Sequence, residues 1–151
     1  MTVVLEKGHA QTVEKPDGTV PLGDDDLFTI SGGPILVTNF FGLVKTWIGA
    51  TVSTCTIQHA VTTPAADVAL STAVAIETDA AGTSYYITSA ALGVFTPVTA
   101  GSIIQATAML PWILTVGTLQ ATFSAANTTG AIRWFLVYTP LSQFSRVVAA
   151  A

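Results

Sequence analysis

Residues 118–125 alternate without a break. Leu119, Ala121, Phe123 and Ala125 are apolar, and Thr118, Gln120, Thr122 and Ser124 are polar. A period of two sends successive side chains to opposite sides of a pleated strand, so this stretch predicts a half-buried strand. Asn127, Thr128, Thr129 and Gly130 follow, with turn chemistry: Asn and Gly both tolerate positive φ. The chain then reads Ile132-Arg133-Trp134-Phe135-Leu136-Val137-Tyr138, apolar on both sides apart from Arg133, and Pro140 ends the run. The pattern predicts a closing hairpin over residues 117–141 whose second arm is a central strand, with Trp134, Leu136 and Tyr138 on one face and Phe135 and Val137 on the other. A strand apolar on both faces is covered on both, by its own domain or by another chain.

Charge is scarce. Charged residues make up 9% of the chain, against about 25% in ordinary soluble domains, and none lies in residues 80–132. The 24 Thr and 22 Ala occupy the space that Lys and Glu usually fill, and Thr, being β-branched, suits a pleated surface. Edge strands of soluble monomers normally carry Lys or other charges that block unwanted pairing. Either Thr, Ser and Gln alone keep the 80–132 surface in solution, or identical neighbours cover much of it. The second reading is favoured, since obligate interfaces resemble a domain core cut in half.

The 151 residues suit one domain, long enough to bury roughly 70% of its unfolded surface. Lys7, Lys15, Lys45, Arg133 and Arg146 are scattered, so no phosphate-neutralising patch and no direct nucleic-acid binding is expected. Residues 1–7 lack a basic segment followed by an apolar one, so no secretory signal is expected there. The apolar stretches 34–47 and 103–116 are interrupted by Asn39, Gly42 and Lys45, and by Gln105, Thr107 and Pro111. Neither supplies the ~20 apolar residues of a spanning helix, and no membrane partner is expected.

Residues 1–26 hold eight of the fourteen charges, with Pro16, Pro21 and three glycines. They read as an extended N-terminal arm that lies on the body or reaches a neighbouring subunit, with disorder as the alternative. Residues 27–151 form a single β domain. One or two strands are expected over 35–44, one over 52–61, a loop over 62–67, and a strand from Val74 onward, with a helical turn or two over 68–75 as the alternative. Further strands fall at 84–88, 103–108 and 112–116. Close strand spacing, Gly/Pro-rich turns and the lack of a sustained 3.6 period predict an all-β fold: an antiparallel β-sandwich or barrel, jelly-roll-like.

No catalytic constellation emerges, and no enzyme is expected. Cys55 and His59, four apart on one side of a strand, are separated by roughly 13 Å at ~3.3 Å per residue, too far for a nucleophile pair. A lone cysteine forms no intrachain disulfide, and two histidines are too few to complete a zinc site around it; neither cofactor nor metal is expected. Asp24, Asp25 and Asp26 lack EF-hand spacing and read as a solvated loop or a strand-entry turn. Glu77 and Asp79 border a turn with no aromatic sugar platform beside them in sequence, and Ser31-Gly32-Gly33-Pro34 lacks the Lys of a phosphate loop. The candidate functional residues are those of an interface: Trp47, Trp112 and Tyr85 as aromatic anchors, Asp24, Asp25 and Asp26, and Arg133 as the partner of a carboxylate within or between subunits.

Residues 129–141, Thr129-Gly130-Ala131-Ile132-Arg133-Trp134-Phe135-Leu136-Val137-Tyr138-Thr139-Pro140-Leu141, resemble the closing strand of small virion structural proteins of tailed bacteriophages. Asp79-Ala80-Ala81-Gly82-Thr83-Ser84-Tyr85-Tyr86 is similar in character to that group. The resemblance implies a capsid decoration (cement) protein located on the virion. Such a protein is small, β-rich and often trimeric, sits where capsomers meet, and has the major capsid protein and its own copies as partners. It implies no catalytic residues. A tail or head–tail connector subunit is one alternative, and a carbohydrate- or host-surface-binding module using exposed Trp or Tyr is another.

Overall fold

The computed structural model describes residues 8–87, 95–98 and 112–151. Among them are twelve strands: β1 (Gln11–Val20), β2 (Gly23–Ser31), β3 (Ile35–Thr46), β4 (Thr54–Val61), β5 (Ala66–Ala69), β6 (Val74–Ala75), β7 (Ser84–Ile87), β8 (Phe95–Val98), β9 (Trp112–Leu114), β10 (Gly117–Phe123), β11 (Asn127–Pro140) and β12 (Arg146–Ala149). Every pairing is antiparallel. One sheet runs β1-β11-β3-β7-β8 with β9 also on β3; the other runs β12-β2-β10-β4-β5 with β6 also on β4. The two sheets pack as a sandwich, the all-β fold expected.

Inward-facing residues make one apolar core. Leu27, Phe28, Ile30, Cys55, Ile57, Leu119, Ala121 and Phe123 from one sheet meet Ile35, Val37, Phe40, Val44, Tyr85, Ile132, Trp134, Leu136 and Tyr138 from the other. Each large apolar side chain withdrawn from water contributes about 1.5–3 kcal/mol. Trp134 is the largest fully buried side chain, stacked on Phe40 at 5.4 Å. β11 lies between β1 and β3, the central position its doubly apolar pattern predicted.

The closing hairpin does not exist. β10 pairs with β2 and β4, and β11 pairs with β1 and β3 in the opposite sheet. Alternation marks which side of a strand faces the core, and that is the same whether the next strand lies beside it or across from it. The crossing is held by side chains. Ser124 Oγ accepts from Thr54 N at 2.8 Å, and Ser53 Oγ donates to the Ala125 carbonyl at 2.7 Å. Asn127, expected in a turn, is a buried residue of β11 that clamps residue 51: Oδ1 accepts from Thr51 N at 3.2 Å and Nδ2 donates to Thr51 O at 3.1 Å. Gly130 keeps its positive φ of 118° inside the strand.

Residues 11–26 are not an arm on the surface of a separate body. β1 is the partner of β11, and the boundary expected after residue 26 falls inside β2, which pairs with β10 and β12. High local charge and Pro content are compatible with a sheet strand here, because Lys15 folds inward and Asp24 and Asp26 occupy the solvent side. The loop expected over 62–67 already enters β5 at Ala66, and residues 68–75 hold strands rather than helical turns. The strand expected over 103–108 lies outside the described residues.

Candidate functional site

The outer faces of the two sheets differ in chemistry. On the β11 sheet, Phe135 and Phe41 are cross-strand partners whose rings stack at 4.7 Å with planes 15° apart. Tyr86 lies opposite Phe41 on β7, Leu43 opposite Arg133, and Leu36 opposite both Thr139 and Ile113. All are half-buried except Ile113, which is 68% exposed. With Val137 they form an outward apolar surface centred on the Phe pair.

The rim of this face is charged. Arg133 Nε donates to Asp17 Oδ1 at 2.6 Å, and its Nη1 lies 3.0 Å from Glu14 Oε1. The Arg133 hydrogen bond holds the Asp17 carboxyl below its ordinary value, and the nearby Lys45 charge acts in the same direction. Arg133 thus finds its carboxylates within the domain, one of the two contacts expected for it.

The outer face of the β10 sheet is a ladder of neutral hydrogen-bonding groups around two carboxylates. Thr122 Oγ1 donates to Asp24 Oδ1 at 2.7 Å, and Gln120 Nε2 to Asp26 Oδ1 at 2.7 Å. Gln58 Nε2 donates to Gln120 Oε1 at 3.0 Å. Thr29, Thr118, Thr54 and Thr56 continue the surface. On this face the charge-free stretch presents Thr118, Gln120 and Thr122.

One end of the sandwich is apolar, with Arg146 at its margin beside Ser31. Ile113, Val116, Leu141 and Phe144 are exposed there, around the 32–34 turn. Leu141 N donates to Pro34 O at 3.1 Å, and a cleft of about 420 Å³ runs between Pro34, Thr62, Thr63, Thr115 and Val116. At the opposite end Trp47 is 47% exposed, with Val52 and Leu22 also open to solvent.

The expected interface residues therefore separate. Asp24, Asp26, Trp47 and Arg133 are on the surface. Trp112 is half-buried, with its ring 6.0 Å from that of Phe40. Tyr85 is not available to a partner: it is fully buried, and its hydroxyl donates to Asp79 Oδ2. Partial burial of Asp79 itself pushes its carboxyl up, against the opposing pull of the Tyr85 hydrogen bond. Asp25 turns inward, where burial raises its carboxyl despite Lys15 Nζ at 3.4 Å. Lys15 is itself buried and also donates to the Asp26 carbonyl. Alternation along a single strand distinguishes Asp25 from its neighbours, but the count of acids does not.

Cys55 is buried, and desolvation pushes its thiol up, away from the nucleophilic thiolate. His59 is buried on the same strand, its Nε2 without a hydrogen-bond partner among the described residues. Among the described residues no group of three or more His, Cys, Asp or Glu is placed to hold a metal. Phe41 and Phe135, the centre of the apolar face, were not singled out in the sequence. Their signal is positional: Phe135 sits on the face of β11 opposite Trp134. Compared with known families, curated proteins and solved structures, the chain shows no match.

Proposed function

We propose that this chain is a non-catalytic structural protein of the virion, a capsid decoration (cement) protein of the tailed-phage kind, which binds the major capsid protein and its own copies. The observation that supports this reading is the apolar end, where Ile113, Val116, Leu141 and Phe144 stand exposed together. Exposed apolar groups gathered at one end mark a contact surface. Each contact with the shell is weak, and the symmetry of the shell multiplies it.

The test is co-sedimentation with capsids of the encoding phage from which this protein has been removed. The wild-type chain pellets with them, and Phe144→Asp, at an exposed position away from the core, reduces occupancy at least tenfold. A wild-type chain that stays in the supernatant at every concentration sinks the proposal. The exposed Trp47 supports a second reading, a glycan-binding module. Binding to a glycan array that Trp47→Ala abolishes would favour it.

A further inference from the structure

The geometry points to the outer face of the β11 sheet as a two-fold self-association surface, occupied by a second copy of this chain. The inference deepens the self-association part of the proposed function and rests on it for biological purpose, but not for its physical argument.

Edge-to-edge pairing is disfavoured. Among the described residues, β1, one edge of its sheet, contains Pro16 and an irregularity between Lys15 and Gly18, and β8 at the other edge contains Pro97. Proline supplies no N–H to a new ladder, and bulges twist an edge away from a neighbour. The edges of the second sheet are four-residue strands, β5 with Asp67 and β12 with Arg146. Sheet-to-sheet association is left to the faces, of which one has an aromatic centre flanked by Glu14, Thr12 and Asn39 and the other is a hydrogen-bonded Thr/Gln/Asp surface. The aromatic face matches another apolar face and not the polar one.

Its charges are arranged for a two-fold partner. Asp17 on β1 and Lys45 on β3 lie on opposite sides of β11, both displaced from the Phe41–Phe135 pair toward the Arg133 end of that strand. A two-fold axis parallel to β11 exchanges the β1 side for the β3 side. It sets Asp17 of each copy against Lys45 of the other, and further along the axis it brings the two Phe135 rings together, each Phe41 lying against Glu14 of the other copy. The two sheets then lie face to face in the aligned arrangement that twisted sheets favour. Arg133, near the axis, meets its equivalent with its charge already balanced by Asp17 and Glu14. The contact makes a dimer, where the family resemblance implied a trimer.

Sedimentation velocity of the full chain tests this. The wild type is expected to run as a dimer. Lys45→Asp and Asp17→Lys, both exposed and folded by far-UV circular dichroism, each weaken the dimer at least tenfold, because like charges then face each other. Mixing the two variants restores a heterodimer, since both contacts become opposite-signed again. Phe135→Lys gives a monomer. A monomeric or trimeric wild type, or a dimer indifferent to all three substitutions, overturns the inference. Capsid binding is scored separately with Phe144→Asp. A dimer that does not bind capsids removes the decoration role and leaves this surface standing; a capsid-binding monomer does the reverse.

Discussion

Gly42 lies directly across from Trp134 in the β3–β11 ladder, and a Cβ at position 42 would fall 2.6 Å from Trp134 Cζ3 and 2.8 Å from Cε3. The indole fills the place where a side chain would be. It has little freedom to retreat, because its ring is fully buried and packs against Phe40 at 5.4 Å and Tyr85 at 6.4 Å. Glycine is needed here for space rather than for an unusual φ. Gly42→Ala is expected to destabilise the fold by about 1–3 kcal/mol, the range for overpacking a dense core. Urea denaturation checks it: the midpoint falls with an unchanged slope.

Asn127 holds the crossing between sheets through its two hydrogen bonds to the Thr51 backbone. Asn127→Ala removes both hydrogen bonds to the Thr51 backbone and is expected to cost about 1–3 kcal/mol, at ~0.5–1.5 kcal/mol for each bond. Amide hydrogen exchange at residues 49–54 locates the effect, since protection there should fall before protection in the centre of β11 does.

Burial lowers the pKa of His59 below its ordinary 6.5, and the hydrogen bond between its ring and the Thr115 backbone opposes this only in part. The unfolded chain therefore takes up the proton first as pH falls. The His59 contribution to stability is complete above about pH 6.5 and is lost progressively as pH drops toward the lower folded value. Thermal melts from pH 7.5 to 5 should show a falling Tm that His59→Leu flattens. Asp25 and Asp79 act with the opposite sign: burial raises their carboxyls, so the folded state binds those protons more tightly and gains stability as pH falls through the carboxylate range. A Tm that rises from pH 7.5 to 6 in the wild type would overturn the His59 assignment.

Much of the inward and outward pattern was legible residue by residue. Leu119, Ala121 and Phe123 against Thr118, Gln120 and Thr122, and Trp134, Leu136 and Tyr138 against Phe135 and Val137, stand on the faces their alternation predicted. The interface candidates were less legible. Tyr85 and Trp47 are equally attractive anchors in composition, yet one is fully buried and the other 47% exposed. An aromatic residue lowers the free energy in a core and at an interface by the same removal of apolar area from water. In a solvated loop Asp24, Asp25 and Asp26 are alike; as residues of β2, alternation turns Asp25 inward between the other two.

The sequence by itself determined the secondary-structure class, through period-two patterning and β-branched composition, and the face each residue of β10 and β11 turns to the core. Both are local consequences of backbone geometry. The tertiary structure alone decided which strands are neighbours: that β10 and β11 part into opposite sheets, that residues 11–26 complete those sheets, and that Phe41 meets Phe135 on an outer face. Those outcomes depend on hydrogen-bond partners distant in the chain, and alternation carries no record of which partner a strand will find.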